Sequence, residues 1–92
     1  MTLLEGILWL TLNVYHEARS EPQIGQVAVA HVTLNRANIT HRPVKDIVRQ
    51  PYQFSWTFQK NSYIPDDPTA FLKCLQSVYI ALQTDDFTNG AT

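Results

Sequence analysis

One cysteine, Cys74, is all that this 92-residue chain carries. An internal disulfide is therefore impossible, and the core must hold the fold alone. Cys74 falls inside a helical apolar pattern, which reads as a packed core thiol. Charge of one sign is also lacking. The net charge is −1 and there is no basic block, so nucleic acid is not expected as a partner. The apolar N-terminus "MTLLEGILWLTLNVY" lacks a basic leader and an A-x-A cleavage site, and Glu5 interrupts it. It reads as neither a signal peptide nor a membrane span. Synthesis in the cytoplasm is expected, with export left to another factor.

Several chemistries lack their residues. His16, His31 and His41 are the only histidines, and His16-Glu17 has no second histidine four residues on. No metal site is expected, and with it no zinc amidase. His31 reads as a core or boundary histidine. There is no G-x-S-x-G and no Gly-rich phosphate loop, so no serine hydrolase, nucleotide chemistry or cofactor is expected.

What remains is enough for one small domain, residues 1–92, that is all-α and mainly helical. Thr2 and Glu5 fit a capping box, so a helix starts at once. Leu3, Ile7, Leu10, Val14 and Ala18 follow its period, with Leu4, Leu8 and Tyr15 widening the face. Ser20 and Gln23 suggest a second capping box, with Pro22 in the first turn. The second helix is then expected over about 21–37, apolar nearly all round and so central. "PVKDIVRQ" suggests a short helix. The aromatic stretch "PYQFSWTFQKNSYIPDD" (51–67) reads as a long loop or as one holding a short β-hairpin. Asp67-Pro68 should cap a third long helix, with Phe71, Cys74 or Leu75, Val78, Ala81 and Leu82 inward. "DDFTNGAT" carries turn chemistry.

Two glutamates four residues apart raise the question of chemistry. At ~100° per residue, Glu17 lies about 60° from Val14 and about 20° from Leu10. It sits at the edge of the apolar stripe, where partial burial raises a carboxyl pKa. Glu21 is explained as an acidic residue facing a helix dipole. Glu17 has no such explanation, so it is the better candidate. Tyr52, Gln53, Phe54, Ser55, Trp56, Phe58 and Tyr63 could stack on sugar faces and bond hydroxyl or N-acetyl groups, or could fill a core beneath the loop. One acid beside such a groove suits glycosidic cleavage.

"VYHEARSEPQIGQVAVAHVTLNR", then "PYQFSWT" and "TDDFTNGA", resembles the SleB/CwlJ-type cell wall hydrolases, which include spore cortex-lytic enzymes and phage lysins. The matching residues are Tyr15, Glu17, Ala18, Arg19, Glu21, Pro22, Gly25, Gln26, Ala28, Val29, Ala30, Asn35, Arg36, Gln53, Phe54 and Ser55. The resemblance implies a lysozyme-like fold similar to lytic transglycosylases. It implies Glu17 as the catalytic acid, and Tyr15, Glu21, Gln26, Gln53, Phe54, Ser55 and Trp56 as substrate-binding residues. The implied partner is the peptidoglycan glycan strand, cut between N-acetylmuramic acid and N-acetylglucosamine with an anhydro product. Open beside this are hydrolysis by water, with Glu21, Asp66 or Asp67 as second acid, and a non-catalytic glycan-binding module. Ser20 stands where the family usually has Gly, and His16 where a small residue is common. Family members normally continue beyond the point where this chain stops, so a truncated C-terminus is expected. Apolar surface exposed there would favour a weak homodimer. A phage lysin would suit the small size.

Overall fold

The computed structural model describes residues 2–49 and 64–92, and among them every regular element is a helix. The domain is all-α, as the periodicity implies, and its helical arrangement is consistent with the lysozyme-like expectation. The hairpin expected within 51–67 falls largely outside the described residues. Four helices follow in order: α1 Leu3–Ala18, α2 Gln23–Thr40, α3 Val44–Arg49 and α4 Pro68–Gln83. α2 packs against each of the other three, and α1 packs against each as well. No described helix is long and apolar enough to cross a membrane.

The ends of α1 and α4 form for the reasons written in their residues. Thr2 Oγ1 accepts from the Glu5 amide at 3.1 Å, and Glu5 Oε1 accepts from the Thr2 amide at 3.3 Å. Both halves of the capping box are present. At α4, Asp67 Oδ1 accepts from the Ala70 amide at 3.1 Å, with Pro68 in the first turn.

α2 departs from expectation at both ends. Ser20 does not cap it. The Glu21 amide donates to the Ala18 carbonyl at 3.0 Å, so Ser20 and Glu21 belong to the turn that closes α1. The helix starts after Pro22, whose carbonyl accepts from Gly25 and Gln26, and no side chain caps it. At the far end it continues three residues past 37. His41 stops it in the left-handed region at φ 55, with its own amide and that of Arg42 returning to the last turn. This pair of backward bonds satisfies carbonyls that the helix end would leave open.

Leu10, Val14, Tyr15, Val27, Ala30, Cys74, Val78 and Ala81 form one buried cluster from α1, α2 and α4. Cys74 is the core thiol expected, and burial pushes its pKa up. Ile47 and Val48 of α3 are also fully buried. The apolar stripe of α1 is buried only from Leu10 onward. Leu3 and Leu4 are exposed because no described element covers the first turn. Leu82, expected inward from its spacing, is likewise exposed at the end of α4, and Ile24 is exposed at the start of α2.

The core also holds a polar pin. Gln26 is buried, and its Nε2 donates to the Ala18 carbonyl at 3.1 Å and to the Arg19 carbonyl at 3.4 Å. Its Oε1 accepts from Ser77 Oγ at 2.6 Å. One amide thus joins the end of α1 to α2 and to the middle of α4. Replacing it removes these hydrogen bonds, while the Ala18 carbonyl keeps the Glu21 amide and Ser77 Oγ keeps the Lys73 carbonyl at 3.2 Å, so the cost is about 0.5–1.5 kcal/mol for each bond lost. Gln26→Met, nearly isosteric and without the amide, should lower the thermal midpoint by roughly 4–8 °C per kcal/mol lost. An unchanged midpoint in calorimetry would show that the pin does not hold these helices together.

Candidate active site

Glu17 lies in the last turn of α1. Its carboxyl is open to water on one side and backed by α2 on the other, where Ala28, Val29, Val32 and Thr33 line a hollow of about 270 Å³. No donor among the described residues bonds the carboxylate. Partial desolvation raises its pKa. Three carboxyls elsewhere in the domain go the opposite way. Glu5, Asp66 and Asp86 are all lowered by hydrogen bonds to their charged forms. A raised carboxyl holds its proton nearer neutrality, which is the property a general acid needs.

The turn carrying Glu17 is clamped on both sides in sequence. Tyr15 is buried, and its hydroxyl donates to Asp66 Oδ1 at 2.6 Å. The Tyr15 hydroxyl oxygen in turn accepts from Arg19 Nη1 at 2.6 Å and from the Asp67 amide at 3.0 Å. Arg19 also pairs with Asp66 at 3.1 Å and stands 4.9 Å from the centre of the Tyr15 ring. The Arg19–Asp66 pair is exposed, so on its own it adds little. The Tyr15 hydroxyl, with its buried ring, is the stronger tie. It binds the end of α1 to the start of α4, across 51 residues of sequence.

The residues named from sequence therefore separate. Glu17 faces the hollow. Tyr15 and Gln26 face the interior with their polar groups engaged by protein, which makes them positioning residues in this structure. Glu21 is exposed in the turn after α1, with its Cβ 3.3 Å from where a Cβ on Gly25 would lie. Any side chain at residue 25 would press on Glu21, so glycine keeps this turn tight. Gln53, Phe54, Ser55 and Trp56 lie outside the described residues. Asp66, a candidate second acid, is held by Tyr15 and Arg19. No group of three or more metal-ligating side chains occurs among the described residues. The α2 wall of the hollow was not anticipated as a site. Its signal in the sequence is the run of small and branched residues in "AVAHVT" (28–33).

The cell wall hydrolase family model matches residues 20–92. The chain belongs to the cell wall hydrolase family. The matched span starts three residues after Glu17. The spore cortex-lytic enzyme of Halalkalibacterium halodurans is 41% identical over 81 residues, covering 86% of this chain and 23% of that protein. The spore cortex-lytic enzyme of Bacillus cereus is 36% identical over 67 residues, covering 71% of this chain and 26% of its own length. The chain thus spans about a quarter of these curated relatives. No solved structure matches it.

The lowered Asp66 pKa fixes the direction of an acid effect. Ionised Asp66 favours the folded state. Its contribution is present above the unfolded value near 3.8 and is lost as pH falls through the lower folded value. Asp66→Asn should therefore be less stable than the native chain at neutral pH, with the gap closing below about pH 4. Urea midpoints measured from pH 3 to 7 test this, and a gap independent of pH would contradict the assignment.

Proposed function

We propose that this domain cleaves the β-1,4 bond between N-acetylmuramic acid and N-acetylglucosamine in peptidoglycan, acting as a lytic transglycosylase with Glu17 as its single catalytic carboxyl. The observation that carries this reading is the raised Glu17 carboxyl beside an open hollow. Membership of the cell wall hydrolase family supports the substrate.

In this mechanism Glu17 begins protonated and donates its proton to the glycosidic oxygen. The bond from C1 of the muramoyl sugar to that oxygen breaks, and N-acetylglucosamine leaves with a new hydroxyl. Glu17, now a carboxylate, takes the proton from the muramoyl 6-hydroxyl as its oxygen bonds to C1. The product carries a 1,6-anhydro ring and Glu17 is protonated again. The nucleophile belongs to the substrate, so no second carboxylate is required. This suits a site in which Asp66 is already held by a phenol and a guanidinium.

Mass spectrometry of digested peptidoglycan tests the reaction. Anhydromuramoyl ends are expected from the native chain. Glu17→Gln should lose about 10²- to 10⁴-fold in rate, the usual scale for a general acid. Reducing ends in place of anhydro ends would mean that water is the nucleophile. The rate should also fall as pH rises through the raised Glu17 pKa, because the starting form is the protonated one. A limb set instead at the ordinary glutamate value would mean that the carboxyl is not desolvated in action.

A further inference from the structure

The hollow beside Glu17 has a composition that proton transfer alone does not require. Ala28, Val29 and Val32 offer only hydrocarbon. The fourth wall residue, Thr33, is buried, and its hydroxyl is engaged twice. It accepts from Asn13 Nδ2 at 3.3 Å and donates to the Val29 carbonyl at 3.0 Å. Among the described lining residues, Glu17 is left as the polar side chain able to bond a ligand.

A glycan strand presents mostly hydroxyls. A hydroxyl placed against these walls would lose its water partners and gain none. The strand's methyl groups lie on two substituents, the 2-acetamido group and the 3-O-lactyl ether. The lactyl group is joined one carbon further from C1 and carries a carboxyl or a peptide, which finds no free donor among the described lining residues and would face the Glu17 carboxyl. The acetamido group is short, neutral and attached to the carbon next to C1. That places it beside the oxygen that Glu17 must reach.

We propose that the Ala28–Val29–Val32–Thr33 hollow is a specificity pocket that receives the methyl of a 2-acetamido group on the sugar whose C1 bond is cleaved. This rests on the glycosidase reading of Glu17. Alanine at 28 adds only a methyl to the wall, and Val29 and Val32 extend its apolar surface. The α2 wall thereby aligns the substrate with the acid as well as desolvating it.

The test compares two forms of one substrate. Glycan strands are de-N-acetylated, then re-acylated with either acetyl or formyl groups, so that both carry neutral amides and differ by one methyl. The native chain should cleave acetyl strands with a kcat/KM about fivefold higher than formyl strands, the scale expected for one methyl in an open apolar site. Ala28→Leu and Val32→Leu both fill the hollow. In whichever of them keeps the native helical circular dichroism, the acetyl-to-formyl ratio should fall toward one. Equal kcat/KM on the two strands by the native chain would overturn the pocket while leaving the acid reading intact. Absence of Glu17-dependent cleavage on both would overturn the glycosidase reading, and the pocket with it.

Discussion

The amide of Gln26 is the bond on which the geometry of the site depends. Its nitrogen reaches the last carbonyls of α1, and its oxygen takes the hydroxyl of Ser77 on α4. A helix end normally offers its final carbonyls to water or to a capping residue. Here a side chain from the next helix takes that part, within the core. The turn so fixed is the one carrying Glu17. Residue 17 cannot drift relative to α2 without breaking a buried hydrogen bond. The hollow between Glu17 and α2 keeps its width for the same reason.

The second tie runs to α4 through Tyr15. Its ring is core and its hydroxyl is polar, so one residue serves both layers. The phenol and Arg19 hold Asp66, and the Asp67 amide closes the set just where Asp67 caps α4. Arg19 and Asp66 are paired with each other, whereas no described residue bonds Glu17 and desolvation raises it. Carboxyls within one small domain thus acquire opposite shifts. Asp66 is surrounded by donors and stays ionised. Glu17 is surrounded by methyl groups on its protein side and tends to keep its proton. The opposite directions of the two shifts follow from these two environments.

Much of this was legible in single stretches of sequence. The Thr2–Glu5 box and the Asp67-Pro68 start are local signals, and each appears where its residues stand. The edge position of Glu17 also follows from helical period alone, since only α1 itself is needed to state it. The parts that were not legible depend on partners far apart in the chain. Gln26 reads as a polar groove residue until Ser77, 51 positions away, is seen against it. Tyr15 and Asp66 are separated by the same distance. Ser20 looks like a cap, but the turn that closes α1 claims it first. Leu3 and Leu4 fit the apolar period and yet stay exposed, because period shows which side faces inward and not whether anything covers it.

The central claim is that partial desolvation against α2, rather than a neighbouring charge, raises the Glu17 carboxyl and suits it to act as an acid. Carbon-13 NMR titration of the side-chain carboxyls, assigned residue by residue, addresses it directly. Glu17 should titrate above the ordinary glutamate value of 4.5, while Asp66 titrates below 3.8. A Glu17 carboxyl titrating at or below 4.5 would mean that the hollow does not desolvate it, and the assignment of the acid would fail.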